Sequence, residues 1–199
     1  MLTNRERESI AAIWAEKLSQ DARGLPKQDR HRNLEPASAE FICTLASGCQ
    51  ARHLVEIGGS SGLSTIALAA AARQTNGRLV SIEIEPHRQH QARQRLEALG
   101  LAERVDFVLA DAGAVLHQYQ GLEFVLIDCE KDDYVRFLEL LHLANGAVVV
   151  ADNILSHQLW EYVRAVRRYP AVESVTLPIG KGLEVSRFVE GKAGSDRKS

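Results

Sequence analysis

The run Val55-Glu56-Ile57-Gly58-Gly59-Ser60-Ser61-Gly62-Leu63-Ser64-Thr65 holds the residues best placed to grip a ligand. An apolar strand ends in a glycine turn, and an apolar helix follows at once. Glycines let a ligand approach the bare backbone N–H groups of such a turn and the helix N-terminus behind it. The spacing is E-x-G-x-x-x-G, not the G-x-G-x-x-G that cradles a dinucleotide pyrophosphate. An acidic residue just before the first glycine is awkward for a phosphate but suits an α-amino group. The ligand inferred is zwitterionic and carries an amino acid, which points to S-adenosylmethionine. Glu83 closes the next apolar strand, 25 residues beyond Gly58. That is near the distance at which a strand-end carboxylate accepts both ribose hydroxyls. Asp111 ends the strand after that and is expected near the adenine edge. Both acids also have an ordinary reading, as caps of the helices that follow them.

A second set of residues suits a hard cation. Val125-Leu126-Ile127 runs into Asp128-Cys129-Glu130-Lys131, and Val148-Val149-Val150-Ala151 runs into Asp152-Asn153. If the two strands are neighbours, two carboxylates and an amide oxygen converge at one rim. Mg²⁺ takes such oxygens, with water and substrate completing an octahedron. Lys131, one turn beyond Asp128, could act there as a base. The bland alternatives are a helix cap at Asp128, a strand-end turn at Asp152-Asn153 and a solvated lysine at 131. His87 and His90 read as a solvated helix face, His157 as a reserve base, and Cys129 as a small core residue rather than a nucleophile. Lys27, Arg30, His31 and Arg32 read as a solvated loop, with an alternative of gripping an anionic substrate or closing over the site.

These groups need a scaffold that brings strand ends together. Arg5–Leu18 spaces Ile10, Ile13, Trp14 and Leu18 as an amphipathic helix. Ser19–Asn33 is expected to break it, and Pro36 to open a second helix through Ala46. From His53 strands and helices alternate: strands to Ile57, 78–82, 104–109, 122–127 and 147–151, with helices 63–74, 87–99, 112–118, 132–143 and 156–169 between and after them. The pattern predicts right-handed crossovers and a mostly parallel sheet covered on both faces. Glu173–Leu177 and Leu183–Val189 read as a closing hairpin. The tail from Gly191 is expected to be disordered. Ligands of such sheets bind at the carboxyl ends of the strands.

At 199 residues the chain is expected to be one domain, residues 1–47 forming a helical preface. A net charge of −2 argues against nucleic acid or an anionic membrane as the main partner. No apolar run reaches about 18 residues, and Met1-Leu2-Thr3-Asn4-Arg5-Glu6 lacks a signal-peptide core. Cys43, Cys49 and Cys129 lack metal-ligand spacing and suit a reducing cytoplasm.

In order, VEIGGSSGLST, SIEIEP, LIDCEKDDY, VVVADN and LPIGKGLEVSRF resemble the cation-dependent O-methyltransferases of the catechol and caffeoyl-CoA type, from about Glu35 to Phe188. The resemblance implies a Rossmann-like class I methyltransferase fold, α/β, seven-stranded with the last strand antiparallel. It implies methionine-end contacts at Glu56, Gly58, Gly62 and Ser64, a ribose carboxylate at Glu83, and an adenine-side turn at Asp111-Ala112. Ser60, Ile84 and Asp128 complete the expected cofactor contacts. Metal ligands fall on Asp128, Asp152 and Asn153, the general base on Lys131, and a substrate-orienting carboxylate on Glu184. A small catechol-like or vicinal-diol acceptor, a divalent cation and a homodimer are implied as well. The family's long insertion after Asp-Asn is missing, so a shallower acceptor pocket is expected, or one built from the N-terminal segment or a partner subunit. Three rivals stay open: a nicotinamide oxidoreductase, a metal-independent methyltransferase, and a non-catalytic cofactor-binding module.

Overall fold

The computed structural model describes residues 1–26 and 29–194. Lys27, from the basic patch, and Ser195–Ser199, from the expected loose tail, lie outside the described residues. Seven helices, α1 Asn4–Ala22, α2 Pro36–Gly48, α3 Leu63–Thr75, α4 Pro86–Leu99, α5 Ala112–Val115, α6 Tyr134–Leu140 and α7 Trp160–Val166, surround one sheet of the described residues. Its strands are β1 His53–Ile57, β2 Arg78–Glu83, β3 Val105–Leu109, β4 Leu122–Ile127, β5 Leu143–Ala151, β6 Val172–Leu177 and β7 Leu183–Phe188. The order is β3-β2-β1-β4-β5-β7-β6; β1 to β5 pair in parallel, and β7 runs antiparallel to both its neighbours. The order reverses between β1 and β4, and a crevice opens at such a switch point.

Local chemistry explains the element ends. Thr3 caps α1 through a capping box with Glu6. Pro36 and Pro86 sit in the first turns of α2 and α4, and Gly100 ends α4 in the left-handed conformation. The central strands β1 and β4 are apolar because both their faces are covered. One core lies under α1 to α4, with Ile13, Ile42, Ile66 and Leu126; the other lies under α5 to α7, with Leu116, Leu138 and Ile127.

Several boundaries differ from the sequence expectation. The first helix does not break at Ser19 but runs to Ala22: no breaker intervenes before Gly24, and Lys17 pairs with Asp21 one turn on at 2.6 Å. The helix expected over 132–143 stops at Leu140, and β5 starts at Leu143, which exchanges backbone hydrogen bonds with Lys192. That same bridge pins Gly191–Gly194, so this part of the tail is not loose. The helix expected from Ser156 begins only at Trp160, because the N–H groups of Ile154, Leu155 and Ser156 donate to the carbonyls of Lys181 and Gly182 instead. The expected helix 112–118 is one α turn followed by a 3-10 turn. Among the described residues no helix is long and apolar enough to cross a membrane.

Candidate active site

The turn after β1 packs straight onto the end of β4. Gly58 has φ +95°, and a Cβ placed there would sit 2.1 Å from the Asp128 carbonyl oxygen. Gly62, at φ +102°, precedes α3 and would push a Cβ to 3.0 Å from the Ala92 Cα. Between them, Ser60 donates its N–H to Glu83 Oε2 at 2.7 Å, while Glu83 Oε1 accepts the N–H groups of Ile84 and Glu85 at 2.8 and 2.9 Å. Glu83 therefore ties the β1 turn to the end of β2, holding a buried carboxylate in a fixed orientation at the crevice.

Glu56 occupies a different place from the one its position suggested. Its carboxyl is fully buried beneath the turn and accepts from the hydroxyls of Thr65 and Ser81, both at 2.7 Å. Burial pushes its pKa up to about 7 against the pull of those hydroxyls. It supports the turn from below and does not line the cleft. Ser64, buried beside it, does not line the cleft either.

At the rim, β4 delivers Asp128 and β5 delivers Asp152-Asn153, as neighbouring strands. Asp128 Oδ1 accepts from Lys131 Nζ at 3.3 Å and from Asn153 Nδ2 at 2.8 Å. Asn153 Nδ2 also donates to Asp152 Oδ2 at 3.0 Å, so its amide bridges the two carboxylates. Asp152 Oδ1 is buried with no hydrogen-bond partner, and burial together with the Asp128 charge pushes the Asp152 pKa up to about 7. Lys131 Nζ donates to Tyr134 Oη at 2.9 Å as well. Among the described residues no three His, Cys, Asp or Glu side chains gather as a metal cluster. The donor set that does exist fits a hard cation: turning the Asn153 amide over would present its oxygen beside the unpartnered Asp152 Oδ1 and Asp128.

These parts face one cleft of about 480 Å³. Gly58, Ser60, Glu83, Ile84, Asp111, Ala112, Asp128, Lys131 and Asn153 line it. Asp111 also accepts from the Gly113 N–H at 2.7 Å, so it caps α5. Gly62 and Asp152 are not among the residues that line the cleft. Glu184 is away from it: fully buried on β7, it accepts from Arg167 at 2.9 Å, Ser174 at 2.6 Å and Thr176 at 2.5 Å. A carboxylate so saturated serves here as an ion-pair partner within the sheet, away from the cleft in which a substrate-orienting group was expected.

Part of the wall comes from the basic patch, for which the sequence offered closure over the site as the alternative to a solvated loop. Arg32 donates its N–H to Ser60 Oγ at 3.1 Å and Asn33 donates to Ser61 Oγ at 2.9 Å, so residues 30–33 cross the glycine turn as a strap. The Arg32 guanidinium pairs with Glu130 on the far side. Of the basic patch, Arg30, His31 and Arg32 do line the cleft; Arg30 pairs with Asp21 at 3.1 Å and His31 is buried against Gln91. Phe137 and Lys181 also line it, and neither stood out in the sequence. The available signal was Gly180-Lys181-Gly182, a lysine between two glycines in the hairpin loop. His157 stands nearby, bonded to Ser156 Oγ at 2.9 Å, its pKa lowered by burial and by Lys131, Lys181 and Arg32.

Across residues 12–199 the chain matches the family described as "Protein of unknown function (DUF1442)". It is 35% identical over 148 residues to a catechol O-methyltransferase of Mycobacterium tuberculosis, covering 72% of this chain and 65% of that protein. The chain thus spans just under two thirds of that relative's length. Cofactor-bound Rv0187 from MTB is similar with a TM-score of 0.78 at 26% identity, covering 92% of this chain and 90% of that one. The O-methyltransferase from Bacillus cereus, solved with SAH, gives a TM-score of 0.75 at 22% identity, covering 91% and 90%. The sheet order and the antiparallel β7 are those of the Rossmann-like class I methyltransferase fold.

Proposed function

The chain belongs to the DUF1442 family, and from that premise we propose that it is an S-adenosylmethionine-dependent O-methyltransferase acting on a hydroxyl of a small catechol-like or vicinal-diol acceptor. The observation that carries the reading is the meeting, in one cleft, of the Gly58 turn, the Glu83 carboxylate and the Asp128/Asn153 rim. The kinship to a catechol O-methyltransferase and the SAH bound by a structural neighbour support it.

In this reading the Gly58–Ser60 backbone receives the methionine end and Glu83 the ribose. Ile84, Asp111 and Ala112 line the adenine side. The strap at Arg32-Asn33 closes over the turn and keeps water from the reacting centre. Asp128, Asp152 and Asn153 would hold a divalent cation such as Mg²⁺, which supplies Lewis acidity that lowers the acceptor hydroxyl pKa. Lys131, oriented by Asp128 and Tyr134, would lose its own proton to solvent beside the bound cation and, as the neutral amine, take the hydroxyl proton, while the cleft holds the oxygen about 3 Å from the methyl carbon. A cytoplasmic setting agrees with three unpaired cysteines. The reading includes a homodimer; of the α1 stripe, Ile10 and Ile13 are buried within the chain and Leu18 is exposed.

Calorimetry with S-adenosylhomocysteine tests the cofactor half, and Glu83→Ala should weaken binding by about 1–3 kcal/mol. Binding of NAD instead would sink the reading. Turnover of a catechol test acceptor should stop with EDTA and return with Mg²⁺, and Asp152→Ala should remove it while leaving S-adenosylhomocysteine affinity within about threefold. A second reading, metal-independent methyl transfer, is favoured by the Asn153 amide, whose NH₂ already bridges the two carboxylates. Turnover surviving both chelation and Asp152→Ala would select it.

A further inference from the structure

The cleft is lined by several cations, and nearly all have partners. Lys17 and Arg30 both pair with Asp21, Arg32 with Glu130, and Lys131 with Asp128. Arg88 is engaged within the fold near His31. Among the described residues Lys181 is the lining cation with no ion pair and no side-chain hydrogen bond. It stands close enough to Asp152 and His157 to act on both electrostatically.

The loop that carries Lys181 is built to hold it still. Its carbonyl accepts the N–H groups of Leu155 and Ser156, both at 3.1 Å. Gly182, at φ +93°, lies so close to Leu155 that a Cβ would fall 2.4 Å from its side chain and 2.8 Å from its backbone nitrogen. Gly180, at φ +57°, leaves room for Ser38 Oγ at 2.5 Å from where its Cβ would be. A lysine clamped between two such contacts loses less freedom on binding than one on a loose loop.

We propose that Lys181 anchors a carboxylate on the acceptor, so that the acceptor of this cleft is an anionic hydroxy compound rather than a neutral one. The inference rests on the methyl-transfer reading and names the substrate class within it. A carboxylate is the better match than a phosphate, because one unpaired ammonium balances one charge, whereas a phosphate carries nearly two and wants further donors. The position of Lys181 on the hairpin, beside the segment that leaves the Asp128/Asn153 rim, lets the acceptor's reactive hydroxyls sit at the rim and its acid group at the hairpin.

The test compares catechol with 3,4-dihydroxybenzoate and 3,4-dihydroxyphenylacetate, by calorimetry on the full chain saturated with S-adenosylhomocysteine and Mg²⁺. The wild type should bind at least one acid about five- to tenfold tighter than catechol, the scale of one charge-assisted contact. Lys181→Gln should collapse that ratio to about one, Lys181→Arg should keep most of it, and added salt should shrink it in the wild type. An equal loss for acid and catechol in Lys181→Gln would overturn the proposal, because the lysine would then act through Asp152. A wild type that binds all three alike, or none, overturns it too. Absent S-adenosylhomocysteine binding sinks the methyl-transfer reading itself; cofactor binding without charge preference sinks only the role of Lys181.

Discussion

Gly58→Ala should be one of the most damaging single-methyl changes available to this chain. The new Cβ would lie 2.1 Å from the Asp128 carbonyl oxygen and 2.9 Å from its carbon, where ordinary contact begins at 3.4 Å, so backbone must move by more than 1 Å. Neither neighbour is a flexible side-chain end. Movement strains the hydrogen bonds Gly58 N–H to Ile82 O at 2.9 Å and Asp128 N–H to Ile57 O at 3.0 Å, each worth about 1 kcal/mol. Holding alanine at φ +95° adds roughly 1–2 kcal/mol. The sum is about 3–4 kcal/mol, or roughly a 10 °C fall in Tm for a chain of this size. Gly121→Ala is the control: its φ is +63° but nothing lies within 4 Å, so strain alone should cost about 1 kcal/mol. Thermal unfolding and S-adenosylhomocysteine calorimetry on both variants decide the matter, with at least about a tenfold affinity loss expected only for Gly58→Ala. If the two variants melt within about 2 °C of each other and both bind normally, the close packing of turn on strand is not what fixes this glycine.

Other outcomes follow from the buried acids. Glu56 keeps its proton to about pH 7 when folded but releases it near 4.5 when unfolded, so its contribution is full below pH 4.5 and lost as pH rises to 7. The loss amounts to roughly 3 kcal/mol, and Glu56→Gln should gain on the wild type by that order between pH 4.5 and 8 in urea titrations; parallel pH profiles would refute it. Arg167→Met leaves the buried Glu184 carboxylate with hydroxyl partners only, and should cost about 1–2 kcal/mol, discounted because Arg167 is half exposed. Its cofactor affinity should hold, since the pair lies off the cleft; a stability change below about 0.5 kcal/mol would show the pair to be idle. Light scattering should give twice the 22.0 kDa chain mass at about ten micromolar or above, and a clean monomer would remove the homodimer.

What was legible in the sequence was whatever local pattern determines. Apolar strands ending in Glu83, Asp128 and Asp152 announced both the sheet and its ligand edge, because strand period and strand-end polarity are written in adjacent residues. Side-chain direction was not legible. Glu56 and Glu184 both sit in motifs that suggest ligand contact, yet Thr65 and Ser81 draw one under the turn, and Arg167, Ser174 and Thr176 draw the other into the sheet. Those partners lie 8 to 25 residues away, and only the folded chain brings them together. The strap at Arg32-Asn33 was legible only as an alternative for the basic patch, because its hold on Ser60 and Ser61 spans 28 residues. The start of α7 was misjudged because hairpin carbonyls, distant in sequence, claim the N–H groups that a helix would have used.

The reversed direction of β7 has a consequence for how this fold can diversify. In a wholly parallel sheet every strand begins at the edge remote from ligand. Because β7 runs backwards beside β5, with Ala151 opposite Glu184, its beginning lies at the ligand edge, and the turn from Pro178 to Gly182 is delivered there. The end that holds Glu83 is thus framed by loops that leave β1, β2 and β3, while the opposite end is framed by a hairpin tip whose backbone carbonyls also fix where α7 begins. Side chains at that tip can be exchanged without disturbing any parallel strand pairing, so under the proposed methyl-transfer reading the acceptor wall can change independently of the turn after β1.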